Sequence, residues 1–294
     1  RQQSVTRGLS AGLLYAFNPV PVFVSAYHGQ FDALAVLGVL LATMLVRTRP
    51  GIAGLWLGFG VLVKSWPVLA APTLLWHSRS WRMRGLFFTG MATVPLVGLV
   101  IYGVAFHGDV QAAMREALGY NWGIGVWGYT YFARVAAQIW PDSATFLAWL
   151  NIYGRYLTLL ALALVWLHSR SAAPPSAILT IFIAFLAFTH AFSIQYLMWP
   201  VALAILAYEY RWLERYTIAA YTYMLLVYTT FILEMHITRL MPLPAADIWI
   251  IMPAGLPAWL TTVGWLVHLM RKKSLNASSI TTGTTYITRI INPS

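Results

Sequence analysis

The sequence predicts an all-α fold, a polytopic transmembrane helical bundle in which several helices are broken or re-entrant. Of its 294 residues, 60% are hydrophobic and only 9% are charged, whereas soluble domains carry about 25% charged residues. The apolar runs are continuous rather than alternating, a pattern that favours helices over strands within a membrane. The composition therefore excludes an ordinary soluble domain.

Long apolar segments define the predicted helices of this bundle. A hydrocarbon core of about 30 Å is crossed by roughly 20 helical residues. The predicted segments are 8–27 (broken at Asn18-Pro19), 30–46, 51–76, 85–106, 149–168, 176–191, 195–210, 216–233 and 248–270.

The charged residues indicate how the chain is oriented in the membrane. There are 19 Lys and Arg residues against 8 Asp and Glu residues, a net charge of +11, and no cysteine. Because the basic residues cluster between apolar segments, they indicate topology rather than a nucleic-acid partner, and the side they occupy is expected to be cytoplasmic. The clusters are Arg47/Arg49, Arg79/Arg82/Arg84, Arg170, Arg211/Arg215 and Arg271-Lys272-Lys273.

Two apolar segments are predicted to enter the membrane and return. Segment 51–76 joins two basic clusters that should share one side, and its turn is predicted at Lys64-Ser65-Trp66-Pro67, where proline interrupts the helix. Each arm would be about 15 to 20 Å long, so the tip stays inside the membrane. Segment 176–210 is too long for one span and short for two, and its polar break at residues 190–196 predicts a second hairpin.

A polar stretch between the first two apolar segments ends at Asp32. Bringing a carboxylate to bilayer depth costs about 2.5 to 3.5 kcal/mol, so such a residue usually faces a wet cavity. The alternative for Asp32 is a solvated helix cap. Lys64 in turn needs an anion, either Asp32 or a phosphate. We expect the three polar breaks to share one pocket that opens away from the cytosol.

The chain divides into a transmembrane domain, residues 1–273, and a polar cytoplasmic tail, residues 274–294. Within the domain, residues 107–148 form the longest polar stretch and are predicted to be an outer loop. The tail is rich in Ser and Thr and follows the last basic cluster. The chain begins at Arg1 with a run typical of the middle of a bundle, so we expect it to be truncated at its N-terminus.

Three segments together carry a resemblance to a known family. They are Asn18-Pro19 through His28-Gly29-Gln30-Phe31-Asp32, Gly58-Phe59-Gly60 through Lys64 and Pro67, and His190, Ser193, Gln195-Tyr196 and Trp199-Pro200. In order and spacing they resemble the GT-C superfamily of membrane glycosyltransferases, which use polyprenyl-phosphate sugars. The resemblance is to its mannosyltransferase-like branch, which includes alpha-mannosyltransferases of actinobacterial lipid glycans and the glycosylphosphatidylinositol mannosyltransferases.

The resemblance implies an integral-membrane glycosyltransferase that moves a hexose, expected to be mannose, from a polyprenyl-phosphate sugar to a lipid or glycan acceptor. It implies a multi-pass protein, in contact with membrane lipids in a bacterial or archaeal plasma membrane, with its active site on the non-cytoplasmic face. The family's catalytic carboxylate follows the first helix, in an outer loop that this chain lacks. The base is therefore expected upstream of Arg1, with Asp32 as the alternative.

The residues fit this chemistry independently. Transfer from a sugar phosphate needs a carboxylate that deprotonates the acceptor hydroxyl and a positive charge beside the departing phosphate. Lys64 can supply the charge, and the other polar residues can hold the sugar or phosphate. No metal site is predicted, although a divalent cation requirement stays open. The predicted donor- and phosphate-binding residues are His28, Gln30, Asp32, Lys64, His190, Ser193, Gln195, Tyr196 and Trp199.

Two other functions are compatible with the pattern. A lipid-linked substrate flippase or secondary transporter also has broken helices that meet at mid-membrane, usually in paired repeats. A non-catalytic membrane subunit is the third alternative, and it would need no basic residue at a buried hairpin tip.

Overall fold

The structure, a computed structural model, describes residues 2–119, 123–237 and 252–272. All regular secondary structure in these ranges is helical, which confirms the all-α prediction for the described part of the chain. The predicted tail, residues 274–294, and the start of the last predicted span, residues 248–251, lie outside the described residues.

The described chain forms thirteen helices that we label in order, joined by short helical turns and loops. They are α1 Gln2–Ala16, α2 Pro19–Tyr27, α3 Asp32–Leu45, α4 Pro50–Val63, a 3₁₀ segment Trp66–Ala70 that continues as α5 Ala71–His77, α6 Trp81–Ala105, α7 Val110–Leu118, α8 Gly128–Ile139, α9 Ala144–Ser169, α10 Pro174–Phe188, a 3₁₀ segment Ile194–Met198 that continues as α11 Trp199–Leu206, α12 Tyr210–Ile237, and α13, residues 256–272.

Two described helices, α6 and α9, are long and apolar enough to cross a membrane. A third candidate arises if α1 from Thr6 onward and α2 form one span, bent by 53° at Asn18. Several other apolar helices are shorter than the predicted segments: α3 and α4 have 14 residues each, or about 21 Å. Their lengths match the arms of a hairpin better than a full span.

The return of segment 51–76 is confirmed by how α3, α4 and α6 pack. Helices α3 and α4 are antiparallel neighbours, since Gly38 lies against Trp56 and Gly60 against Ala35. Helices α4 and α6 are parallel, because contacts advance together from Gly51 near Leu86 to Leu62 near Gly98. The chain from Trp66 to His77 must therefore run back to the start of α6. We call this segment the return arm.

Small residues let α4 and α6 approach closely. A Cβ atom at Gly54 would lie 2.1 Å from the carbonyl oxygen of Phe87, and one at Gly90 would lie 2.4 Å from that of Gly51. Both distances are shorter than real contacts allow, so glycine is required for this backbone separation. Such small-residue contacts are typical of helices that associate within membranes.

The predicted break near residue 190 is also present. Helix α10 ends at Phe188, residues 189–193 are irregular, and the chain continues as a 3₁₀ segment and α11. Helix α11 ends at Leu206 rather than at the predicted residue 210, because Tyr208 adopts a left-handed backbone conformation with φ of 57°. Its final turn and Arg7 of α1 line a common cavity.

Basic residues from segments that are distant in sequence lie together at one end of the bundle. The guanidinium of Arg170 lies 4.6 Å from the centre of the Trp76 ring, beside the end of the return arm. His168 Nε2 is 3.3 Å from the carbonyl oxygen of Met270, and Lys272 Nζ is 2.6 Å from Glu209 Oε1. We call this the basic end.

The segment predicted as the outer loop, residues 107–148, is more ordered than a loop. It contains α7 and α8, and its last residues already belong to α9, so the predicted boundary at 148 is too late. Trp127 is buried, stacks 4.2 Å from Phe192, and donates through Nε1 to the carbonyl oxygen of Leu186 at 2.7 Å. The segment therefore covers the break between α10 and α11.

The return arm generates a topological prediction. The chain has no cysteine, so single variants can be labelled cleanly. We expect Thr48→Cys and Ser80→Cys, before α4 and after the return arm, to react with an impermeant thiol reagent from the same side of sealed vesicles. His107→Cys, beyond the far end of α6, should react from the opposite side. Labelling of positions 48 and 80 from opposite sides would contradict the hairpin.

Candidate functional site

The three predicted helix breaks converge on the carboxylate of Asp32. Asp32 is the first residue of α3, and its side chain has 0% exposure. A carboxylate there benefits from the partial positive charge of the helix N-terminus. Full burial nevertheless requires specific partners, because an isolated charge in a protein interior is strongly unfavourable.

One carboxylate oxygen is held by two tryptophans. Trp199 Nε1 donates to Asp32 Oδ1 at 2.8 Å, and Trp66 Nε1 donates to the same oxygen at 3.2 Å. The two indole rings stack with centroids 4.3 Å apart and planes 16° from parallel. Trp66 begins the return arm and Trp199 begins α11. Asp32 Oδ1 therefore joins three segments that are distant in sequence.

The other carboxylate oxygen faces a lysine. Lys64 Nζ lies 3.5 Å from Asp32 Oδ2 and donates to Gln30 Oε1 at 2.9 Å. The separation of 3.5 Å suits an ion pair but is long for a charged hydrogen bond. Asp32 Oδ2 accordingly has no hydrogen-bond donor among the described residues. The Lys64 side chain is 27% exposed, so Lys64, unlike Asp32, can be reached from outside the bundle.

Local chain geometry explains why these groups meet. Helix α4 ends at Val63, the backbone of Lys64 is extended, and Pro67 cannot donate the hydrogen bond that would continue the helix. On the other side, Gly29 has a φ of +69°, and the amide of Gln30 donates to the carbonyl oxygen of Val24 at 3.1 Å. The two turns bring Lys64 and Gln30 to the same edge of Asp32.

Trp66 is a member of this site that was not predicted from the sequence. Trp66 lies within the predicted hairpin tip, but tryptophans are common in membrane proteins and nothing marked its indole as a donor.

The contacts that the structure gives for His190 and His28 lie outside the Asp32 cluster. His190 is buried against Gly154 of α9, with Nδ1 3.3 Å from Thr158 Oγ1. His28 follows α2 and pairs through Nδ1 with the hydroxyl of Tyr228 on α12. These contacts attach the break after α2 to α12 and the break after α10 to α9.

The remaining predicted residues lie on the chain that leads into Trp199. The Tyr196 ring is 4.2 Å from that of Trp199, so Tyr196 supports the tryptophan that contacts Asp32. Ser193 and Gln195 are half-buried, and the Ser193 carbonyl oxygen accepts from the amide of Tyr196 at 2.9 Å. The structure thus brings Gln30, Asp32, Lys64 and Trp199 into direct contact, with Tyr196 behind them.

The site offers one reachable cation, one amide and a buried anion. Lys64 Nζ can hold a negatively charged group, and Gln30 can hydrogen-bond to the same group or to a hydroxyl. No cluster of three or more His, Asp or Glu side chains suitable for a metal ion occurs within residues 2–119, 123–237 and 252–272. Comparisons of the chain with protein-family models, curated proteins and solved structures find no match.

The indole–carboxylate contacts generate a stability prediction. We expect Trp199→Phe to lower the free energy of unfolding by about 1.5 to 3 kcal/mol, because a hydrogen bond to a buried charge is lost while an aromatic ring remains. Denaturant unfolding in detergent micelles measures this change.

Trp265→Phe is the matched control. Trp265 is also fully buried, but its Nε1 has no hydrogen-bond acceptor in the described part of the chain. The control should therefore lose packing only. An equal loss of stability in the two variants would show that Asp32 gains nothing from the Trp199 indole.

Proposed function

We propose that this chain is the membrane part of a GT-C-like glycosyltransferase, a multi-pass bundle that transfers a hexose from a polyprenyl-phosphate sugar. Mannose is the expected sugar, a lipid or glycan is the acceptor, and the reaction is placed on the non-cytoplasmic face. The observation that carries the proposal is the partly exposed Lys64, held 3.5 Å from a fully buried Asp32 at a hairpin tip.

The depth of Lys64 within the bundle supports binding of a lipid phosphate. Leu62, close to the tip of α4, packs against Gly98, about two turns before α6 ends at Ala105. In a membrane-embedded bundle the Lys64 ammonium therefore lies below the outer end of α6. A phosphate carried on a polyprenyl chain can approach at this depth while its lipid tail stays in the hydrocarbon. A lysine beside the leaving phosphate stabilises the charge that develops on it.

Asp32 fits a positioning role better than that of the base. Its carboxylate has 0% exposure and both of its oxygens face groups of the protein. A general base must come within hydrogen-bond distance of the acceptor hydroxyl. We therefore assign Asp32 to orienting Lys64 and the two tryptophans, and assign phosphate binding to Lys64 with Gln30. The proposal leaves the base outside this cluster.

The test is binding and transfer of radiolabelled polyprenyl-phosphate-mannose by the protein in membranes. We expect Lys64→Gln to weaken donor binding and slow transfer by roughly 10- to 100-fold, the effect of losing one charge-assisted hydrogen bond. Because this variant leaves Asp32 unpaired, Asp32→Asn/Lys64→Gln is measured beside it to separate lost function from lost folding.

Two further variants sharpen the outcome. Lys272→Gln removes a lysine that pairs with Glu209 at the basic end and should leave transfer unchanged. Asp32→Asn should raise the KM for the donor more than it lowers kcat, since the residue acts through Lys64. Normal transfer by Lys64→Gln would refute the proposal. If the intact donor crosses the vesicle membrane and no sugar is transferred, the result would favour the flippase alternative instead.

A further inference from the structure

A second feature, separate from the Asp32 site, lies between the two helices that are long enough to cross a membrane. An apolar groove of about 510 Å³ runs along the return arm at the basic end. It adjoins a second cavity of about 320 Å³ that shares Pro72 and Trp166 with it. The lining residues beyond these two are Leu75, Trp76, Trp81, Arg84, Gly85 and Phe88 in the first cavity, and Val68, Leu69, Leu159, Leu162, Ala163 and Ile181 in the second.

The combined groove has the dimensions of one leaflet. It extends along α9 from Leu159 to Trp166, near the end of the helix at Ser169. From Leu159 to that end is about 15 Å at 1.5 Å per residue, half of a hydrocarbon core of about 30 Å. Helix α9 lines both cavities and α6 lines the first, and these are the two described helices with membrane-spanning length and hydropathy. The groove therefore faces the region that acyl chains occupy.

Arg84 lines the first cavity, and Arg170 stacks on two of the tryptophans that line it. The Arg84 guanidinium lies 4.7 Å from the centre of the Trp81 ring, and that of Arg170 lies 4.6 Å from the Trp76 ring and 5.8 Å from the Trp166 ring. Arg84 also donates through Nε to the carbonyl oxygen of Ser78 at 3.4 Å. Neither guanidinium forms an ion pair with a carboxylate among the described residues.

We propose that this groove binds one anionic membrane phospholipid, with its phosphate between Arg84 and Arg170 and an acyl chain along Pro72 and Trp166. Stacking on indoles fixes each guanidinium plane and leaves its outer N–H groups for phosphate oxygens. Charge selects an anionic headgroup, and the apolar walls select a lipid rather than a soluble phosphate. A bound lipid would stabilise the return arm. The first residue of this arm, Trp66, is one of the two hydrogen-bond donors to Asp32.

The experiment is native mass spectrometry of the full chain, delipidated in detergent and titrated with phosphatidylglycerol or phosphatidylcholine. The wild-type protein should retain phosphatidylglycerol preferentially. We expect Arg84→Gln/Arg170→Gln to bind it about 25-fold more weakly, because each basic side chain near an anionic headgroup contributes a factor of about five. Arg47→Gln/Arg49→Gln is the control, with equal charge removed from exposed positions at the same end.

A steric variant tests the acyl-chain half of the site. A Cβ at Gly85 meets no atom within 4 Å, so the leucine side chain in Gly85→Leu can enter the groove without a steric clash at its Cβ. We expect it to reduce retention of phosphatidylglycerol while both arginines stay in place. Equal binding of the two lipids, an equal loss in the Arg47/Arg49 control, or displacement of the lipid by inorganic phosphate alone would overturn the proposal.

Discussion

The buried carboxylate of Asp32 is the constraint on which the interior of this bundle depends. It accepts hydrogen bonds from Trp66 and Trp199 and pairs with Lys64, so one side chain connects α3 to the return arm, to the end of α4 and to α11. Removing any one partner leaves charge or polar atoms unsatisfied where water cannot compensate, which is costly. The helix breaks are therefore mutually dependent: each supplies a group that the others need.

This constraint also explains why the bundle combines long and short helices. Helix α3 begins at the carboxylate and α4 ends beside it, and each has 14 residues, whereas α6 and α9 have 25 and 26 residues. The difference leaves irregular backbone inside the bundle, where it is tolerated only if it is buried in protein or lines a cavity. The stacked pair Trp127 and Phe192 covers one such break, and the proposed lipid groove flanks another. The buried carboxylate and the proposed lipid groove thus flank the same hairpin.

Much of this architecture could be predicted from local signals. Prolines at positions 19 and 67, the polar residues 190–196 and the spacing of the basic clusters predicted both the breaks and the return of segment 51–76. Side-chain direction in irregular segments has no periodic signal, so the contact of His190 with Thr158 on α9 was not predictable. Trp66 was missed because an indole buried as a carboxylate donor resembles any interfacial tryptophan in sequence. The function predicted by resemblance stays a proposal.

Hydrogen–deuterium exchange on Asp32→Asn tests the central role of this carboxylate most directly. If Asp32 holds the breaks together, exchange should rise in residues 28–34, 62–69 and 193–200 at once, although these stretches are far apart in sequence. Glu209→Gln, which removes the buried acid paired with Lys272, should leave all three unchanged. An increase confined to residues 28–34, or none, would contradict the account.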